Sequence, residues 1–290
     1  MSGSPQDAAL LKALQDGFAR RHPQVRFSQS LHGPESTLAG VYTGTADIAF
    51  MARELREPLE RMAFEWVLLD KPRYIRIAHA GLDSERFSSQ LAVFVHRDNP
   101  VQGLTLAQLE AIFGAEPRGG AAPLREWGQL GLGGERAKRA IRVHGPRVDS
   151  VQALFFRRNV MGDSRKWNPG YHETASEGAD VVAAVAADPD AVGYAPVRHA
   201  TPQVRAVALA ATPAGPFVLP DRQSVGQGTY PLLRSIGVVT AHTRERPMSA
   251  AVRDFIDFIL GPEGQAIIAR EGGYLPLDPV TLAESRRALP

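Results

Sequence analysis

The sequence predicts an α/β protein, on three observations. Strand-like stretches alternate with helix-like ones along most of the 290 residues, the order in which helices pack on a largely parallel sheet. The composition, 44% hydrophobic and 22% charged, is that of a globular chain with enough apolar residues for a sizeable core. The apolar runs, such as "LAVFV", fall far short of the ~20 residues that a membrane-crossing helix needs.

From Pro5 to Arg21, the residues Ala8, Leu11, Leu14 and Phe18 recur at three- and four-residue intervals, which predicts a helix with one apolar face. Ser4 and Pro5 suit its cap and first turn. "PQVRFSQS" alternates, with Val25 and Phe27 on one face, and predicts a strand. "GPESTLAGVYTG" predicts a loop and a short helix that Gly44 ends, and "ADIAFMA" a mostly apolar strand. "ELREPLERMAFEW" predicts a helix with Leu55, Leu59, Met62 and Trp66 in register, followed by the alternating strand "YIRIAHA".

"QLAVFVHRDNP" predicts a strand that stops at Asn99-Pro100, and Thr105 caps a helix with Leu106, Leu109, Ile112 and Phe113 on its apolar face. Residues 114–136 are rich in Gly and Pro and predict loop. "AIRVHG" is a strand, Ser150 opens the helix "VQALFF", and "RKWNPGYHE" is irregular. "GADVVAAVAADPDAVGYAP" predicts a small-residue helix running into a short strand, and "RAVALA" another strand. After the polar loop "PDRQSVGQGT" come the strand in "YPLLRSIGVVTA", a strongly amphipathic helix, a Gly-Pro break, and a second helix that Gly272-Gly273 ends.

Composition also limits function. Lys and Arg number 33 against 31 Asp and Glu, and no basic stripe interleaves with aromatics, so no nucleic-acid partner is expected. The absence of cysteine excludes disulfides and thiolate chemistry. The eight histidines show no zinc-motif spacing, so neither a metal nor a cofactor is expected. "RVDSVQA" is not a Gly-x-Ser-x-Gly turn, no Walker or dinucleotide fingerprint follows a strand, and no serine has an adjacent histidine base. The expectation is a binder, not an enzyme.

Five stretches in order carry a resemblance that spans nearly the whole chain: "LAVFVHRDNP", "LTLAQLEAIFG", "REWGQLG", "GTYPLLRSIGVV" and "VRDFIDFILGPEGQAIIAREGGYLPL". Together they resemble the phosphate-binding proteins of bacterial ABC importers, in the type II periplasmic binding protein superfamily. The resemblance implies two lobes, each a mostly parallel sheet flanked by helices, with a ligand cleft between them that closes by hinge motion. Residues 1–95 with 228–290 would form one lobe and 96–227 the other. It implies a monomer that captures phosphate or a related small anionic ligand for an inner-membrane ABC permease. The location would be periplasmic or extracytoplasmic, with a leader replaced by the opening "MSGS". A permease-independent receptor or scavenger of another anionic solute is the alternative.

Small oxyanions need donors of fixed geometry, which helix starts and the planar arginine fork supply. Ser4, the Ser36-Thr37 pair before "LAGVY", and Ser150 are therefore candidate donors, each with a second reading as an ordinary N-cap. Arg147 precedes the third helix and Arg53 follows "ADIAFMA"; the alternative for Arg53 is a salt bridge to Glu54 or Glu57. Where the family has Arg, Asp and Ser-Gly-Thr, this chain matches Arg147, Asp149 and Ser150 and substitutes Val151 and Gln152. Asp149 is expected to orient Arg147. Pro34 removes one donor from the first loop. Where some members carry an aspartate that accepts a ligand proton, Ala52 and Arg53 stand here, which implies an anion that brings no proton or a larger molecule with an anionic end.

Overall fold

The computed structural model describes all residues except 57, 84–87, 177, 244, 246, 272 and 290. In chain order the elements are α1 (Ala8–Ala19), α2 (Pro34–Tyr42), β1 (Ile48–Met51), α3 (Leu59–Leu68) and β2 (Tyr74–His79), then β3 (Leu91–His96), β4 (Gly103–Thr105) and α4 (Leu106–Phe113). There follow β5 (Arg142–Pro146), α5 (Val151–Val160), β6 (Tyr171–Thr174), α6 (Ala179–Ala187), β7 (Ala191–Pro196), β8 (Val204–Ala206), β9 (Ala208–Ala210) and α7 (Arg222–Gly226). The last four are β10 (Ser235–Thr240), α8 (Ala250–Leu260), α9 (Pro262–Glu271) and α10 (Pro279–Ala288). The chain divides into two compact units: Met1–Ser88, Gly226–Gly228 and Arg234–Pro290 form the first, Ser89–Val225 and Thr229–Leu233 the second.

In the first unit β10 lies between β1 and β2, antiparallel to both. Strand alternation separates two cores. Ile48, Phe50, Ile75, Ile77, Ile236 and Val238 meet α1, α8 and α9 on one face, while Ala49, Met51 and Val239 meet Leu38, Val41 and Phe64 on the other. A strand whose two faces are both covered needs apolar residues at every position, and β1 is buried throughout. Ser2 adds parallel bridges to Ser30 and Ala49.

In the second unit the sheet order is β6-β5-β7-β3-β8. β5 runs parallel to β6 and β7, whereas β3 is antiparallel to β7 and β8. The second sheet is therefore mixed, whereas both ladders of the first are antiparallel. β3 and β10 are the first strands after the chain passes from one unit to the other, so no βαβ crossover within their own unit forces them to run parallel.

Several local expectations change. The "PQVRFSQS" strand reduces to the single bridge at Ser30, because only Met1–Gly3 lies alongside it. "RAVALA" splits into β8, paired with β3, and β9, paired with β4. β6 emerges from the irregular run, pinned by its ladder to β5. The chain ends in α10, capped by Asp278 through the amides of Val280 and Thr281. α3 begins only after Pro58, leaving Leu55 outside it. Its predicted apolar stripe faces outward: Leu59 is 74% and Trp66 80% exposed, while Phe64 on the opposite side is buried. One large ring in the Leu38–Val41–Met51 cluster outweighs the stripe.

Candidate functional site

In the second unit, β5 leads into the loop that opens α5. Ser150 has the extended conformation of an N-cap, and its Oγ accepts from the amide of Ala153 at 3.1 Å. Val151 and Gln152 are the first two helical residues, so their amides precede the helix's own hydrogen-bond ladder. Arg147 and Asp149 meet fork to carboxylate, Nε to Oδ1 and Nη2 to Oδ2, both 3.1 Å. The pair is exposed, and the hydrogen bond to Asp149 raises the Arg147 pKa further. A guanidinium has five N–H groups, so this pairing fixes its plane while leaving donors over.

The loop rests on an aromatic floor. Phe156 stacks on Tyr194 with ring centres 3.9 Å apart, and Phe113 meets both edge-on. The Tyr171 hydroxyl donates to the carbonyl of Pro146 at 2.6 Å and lies 2.9 Å from that of Tyr194. Burial pushes the pKa of both phenols up. A Cβ at residue 145 would stand 2.1 Å from the Tyr171 oxygen, which explains the glycine just before the loop. Sequence reasoning missed this support because 26 residues separate Gly145 from Tyr171.

The first unit holds the other candidates. Ser4 is buried with extended backbone ahead of a 3-10 turn, Pro5–Asp7, and makes no side-chain cap bond. Ser36 and Thr37 do not cap α2. That helix starts at Pro34, with Gly33 at φ 105° as its N-cap, a backbone conformation that favours glycine. Their hydroxyls donate back to the Gly33 carbonyl at 3.1 and 2.9 Å, Ser36 exposed and Thr37 buried. Proline suits the first helical position, so the helix starts four residues earlier than the serine pattern suggests.

Arg53 is 6% exposed. Its Nη1 donates to Glu60 Oε2 at 2.9 Å and to the Glu54 carbonyl, and its Nη2 to Glu60 Oε1 at 2.5 Å and to the Pro34 carbonyl at 2.9 Å. Its closest salt-bridge partner is Glu60, on α3, in place of the expected Glu54; the other expected partner, Glu57, lies outside the described residues. Burial opposes the charge, but the bonds to Glu60 outweigh it and the pKa is raised. The cation expected in exchange for the family's acidic acceptor is therefore neutralised within its own unit. Glu54 instead pairs with Arg234, Nε to Oε1 at 2.9 Å and Nη2 to Oε2 at 2.7 Å.

A serine does have a histidine neighbour after all. Ser235 Oγ lies 3.1 Å from His79 Nδ1, and His79 Nε2 lies 3.1 Å from Asp278 Oδ2. The ring is fully buried, and burial lowers its pKa despite the opposing effect of Asp278. The other Asp278 oxygen caps α10, so this trio ties β2, β10 and α10 together.

A family model described as "PBP superfamily domain" matches residues 2–263. The phosphate-binding protein PstS of Pseudomonas aeruginosa is 31% identical over 285 residues, spanning 97% of this chain and 83% of the relative. Protein SphX of Synechococcus elongatus is 26% identical over 280 residues, 95% of this chain and 76% of its own. Among solved structures, an ABC-type phosphate transport receptor from Vibrio cholerae shares the fold, with a TM-score of 0.59 at 21% identity over 94% of this chain and 98% of that one.

Proposed function

The chain belongs to the PBP superfamily, in the family of the phosphate-binding protein PstS, and from that premise we propose that it captures phosphate or a related oxyanion for an ABC importer. The observation that carries this reading is the start of α5. There Ser150 sets the helix cap, Asp149 holds the Arg147 fork, and the amides of Val151 and Gln152 open the helix. A helix N-terminus beside a guanidinium concentrates positive potential and directed donors on one small anion.

Ser4, Ser36 and Thr37 are the candidate donors of the first unit, and Arg53 shapes their loop by holding the Pro34 carbonyl. Capture needs no chemistry on the ligand. The protein works outside the cytoplasm as a monomer, engages no nucleic acid and delivers its ligand to a membrane permease. Val151 in place of the family's glycine keeps a ligand farther from the backbone, which favours a looser fit than in relatives with Ser-Gly-Thr.

The test is a thermal-shift screen over phosphate, sulfate, arsenate and phosphonates after denaturing dialysis. A ligand present at 100 times its Kd stabilises the fold by about 2.7 kcal/mol, so binding reads out as a raised Tm. Arg147→Ala is expected to lose most of the affinity while keeping its melting profile without ligand. No shift with any oxyanion, or an unchanged Kd in Arg147→Ala, would refute the reading.

A further inference from the structure

α3 carries an apolar stripe that the rest of its unit leaves uncovered. Leu59, Met62 and Trp66 recur along it at three- and four-residue spacing, Val67 flanks them, and Leu69 ends the helix. Of the eight large apolar side chains exposed among the described residues, these are five. The helix cannot roll to hide them. Its opposite side is anchored by Phe64, in one core with Leu38, Val41 and Met51, and by Glu60 on the Arg53 fork.

The stripe is complementary to itself. It reads nearly the same in both directions about residue 64, with Leu59 and Leu69 five positions to either side and Met62 and Trp66 two. A two-fold axis relating two antiparallel α3 helices therefore sets Leu59 against Leu69 of the second copy, and Met62 against its Trp66, a thioether on an aromatic ring. The same axis lays each rim of the stripe on its own counterpart. Arg61 and Glu65, paired at 3.1 Å along one rim, then meet the same pair reversed, arginine toward glutamate.

The amount of surface also fits a second copy. Trp66, 80% exposed, presents on the order of 200 Å² by itself. The five side chains together present on the order of 600 Å², a contiguous patch of the size that marks an interaction surface. Two copies would bury on the order of 1,200 Å², the lower limit of specific interfaces.

We propose that two copies of this chain pair reversibly through α3, antiparallel about a two-fold axis, with Met62 and Trp66 at the centre. An interface of this size dissociates on dilution, so the monomer of the proposed function is the dilute form. Pairing needs no ligand and uses none of the proposed anion donors, so it does not rest on the oxyanion reading.

Sedimentation velocity without ligand should show the average sedimentation coefficient rising with protein concentration between about 1 and 500 µM. Trp66→Glu should weaken the pairing at least tenfold; its side chain is exposed, so the variant keeps the wild-type melting profile at low concentration. Because the chain has no cysteine, a mixture of Leu59→Cys and Leu69→Cys proteins treated with a short bis-maleimide should yield mainly the mixed dimer. A protein that stays monomeric throughout overturns the proposal, as does a Trp66→Glu protein that pairs like wild type, or a mixture in which like joins like. Lipid vesicles that take up wild type but not Trp66→Glu, with no pairing in solution, would assign the stripe to a membrane and overturn it as well.

Discussion

Arg53 and Glu60 are locked in a two-pronged ion pair inside the first unit, their side chains 7% and 16% exposed. The pair joins the loop after β1 to α3, and through the Pro34 carbonyl it also holds the start of α2. The Arg53 Nε is buried with no hydrogen-bond partner among the described residues, so the fork is oriented at its far end, by Glu60 and by the carbonyls of Glu54 and Pro34.

Removing one partner leaves an uncompensated buried charge. Arg53→Ala is expected to cost about 3–5 kcal/mol in urea unfolding, whereas the double change Arg53→Met with Glu60→Leu should recover most of it. A single-variant cost below about 1 kcal/mol would mean that the pair is solvated. Oxyanion affinity retained by the double variant would show that Arg53 is not a ligand contact.

Asp7 supplies a pH prediction. Its carboxyl is buried and accepts from the Tyr274 hydroxyl at 2.9 Å, while Oδ2 has no partner among the described residues. Burial raises its pKa to about 6, against the lowering effect of Tyr274. The folded state thus holds the proton more tightly than the unfolded one. The resulting stabilisation is complete below the unfolded pKa near 3.8 and is lost as pH rises through about 6. Comparing wild type with Asp7→Asn cancels the other titrating groups. The difference should shift in favour of the variant by about 3 kcal/mol between pH 3.5 and 7.5, and a pH-independent difference would refute the assignment.

Gly145→Ala tests the aromatic floor. The added methyl would meet the Tyr171 oxygen at 2.1 Å and its ring carbons at 2.7 and 2.9 Å. The ring cannot retreat easily, because its hydroxyl is tied to Pro146 and Tyr194. A loss of about 1–3 kcal/mol is expected from overpacking, together with weaker oxyanion binding as the Arg147 loop shifts. Wild-type stability and affinity would show that the floor does not position the loop.

Leu69, which ends α3, has φ 52° and is 90% exposed. A leucine gains nothing from burial there and bears the steric cost of the left-handed region. Leu69→Gly should therefore stabilise the protein by about 0.5–1 kcal/mol, as glycine suits this helix-ending position. A lower denaturation midpoint would mean that the side chain makes contacts its exposure hides.

By itself the sequence determined what depends on neighbours a few residues away. The Thr105 cap, the Ser150 cap, the apolar periods of α1 and α8 and most of the order of strands and helices were legible, as was the family through five ordered stretches. Tertiary structure decided what depends on partners far along the chain. Which side of α3 turns inward follows from a pocket for Phe64 built by Leu38, Val41 and Met51. The Arg53 charge goes to Glu60 because the start of α3 packs against the loop after β1, and His144 reaches His172 only once β5 and β6 adopt one register. Period and capping are written in local geometry, whereas register and the pairing of buried charges exist only after distant segments have packed.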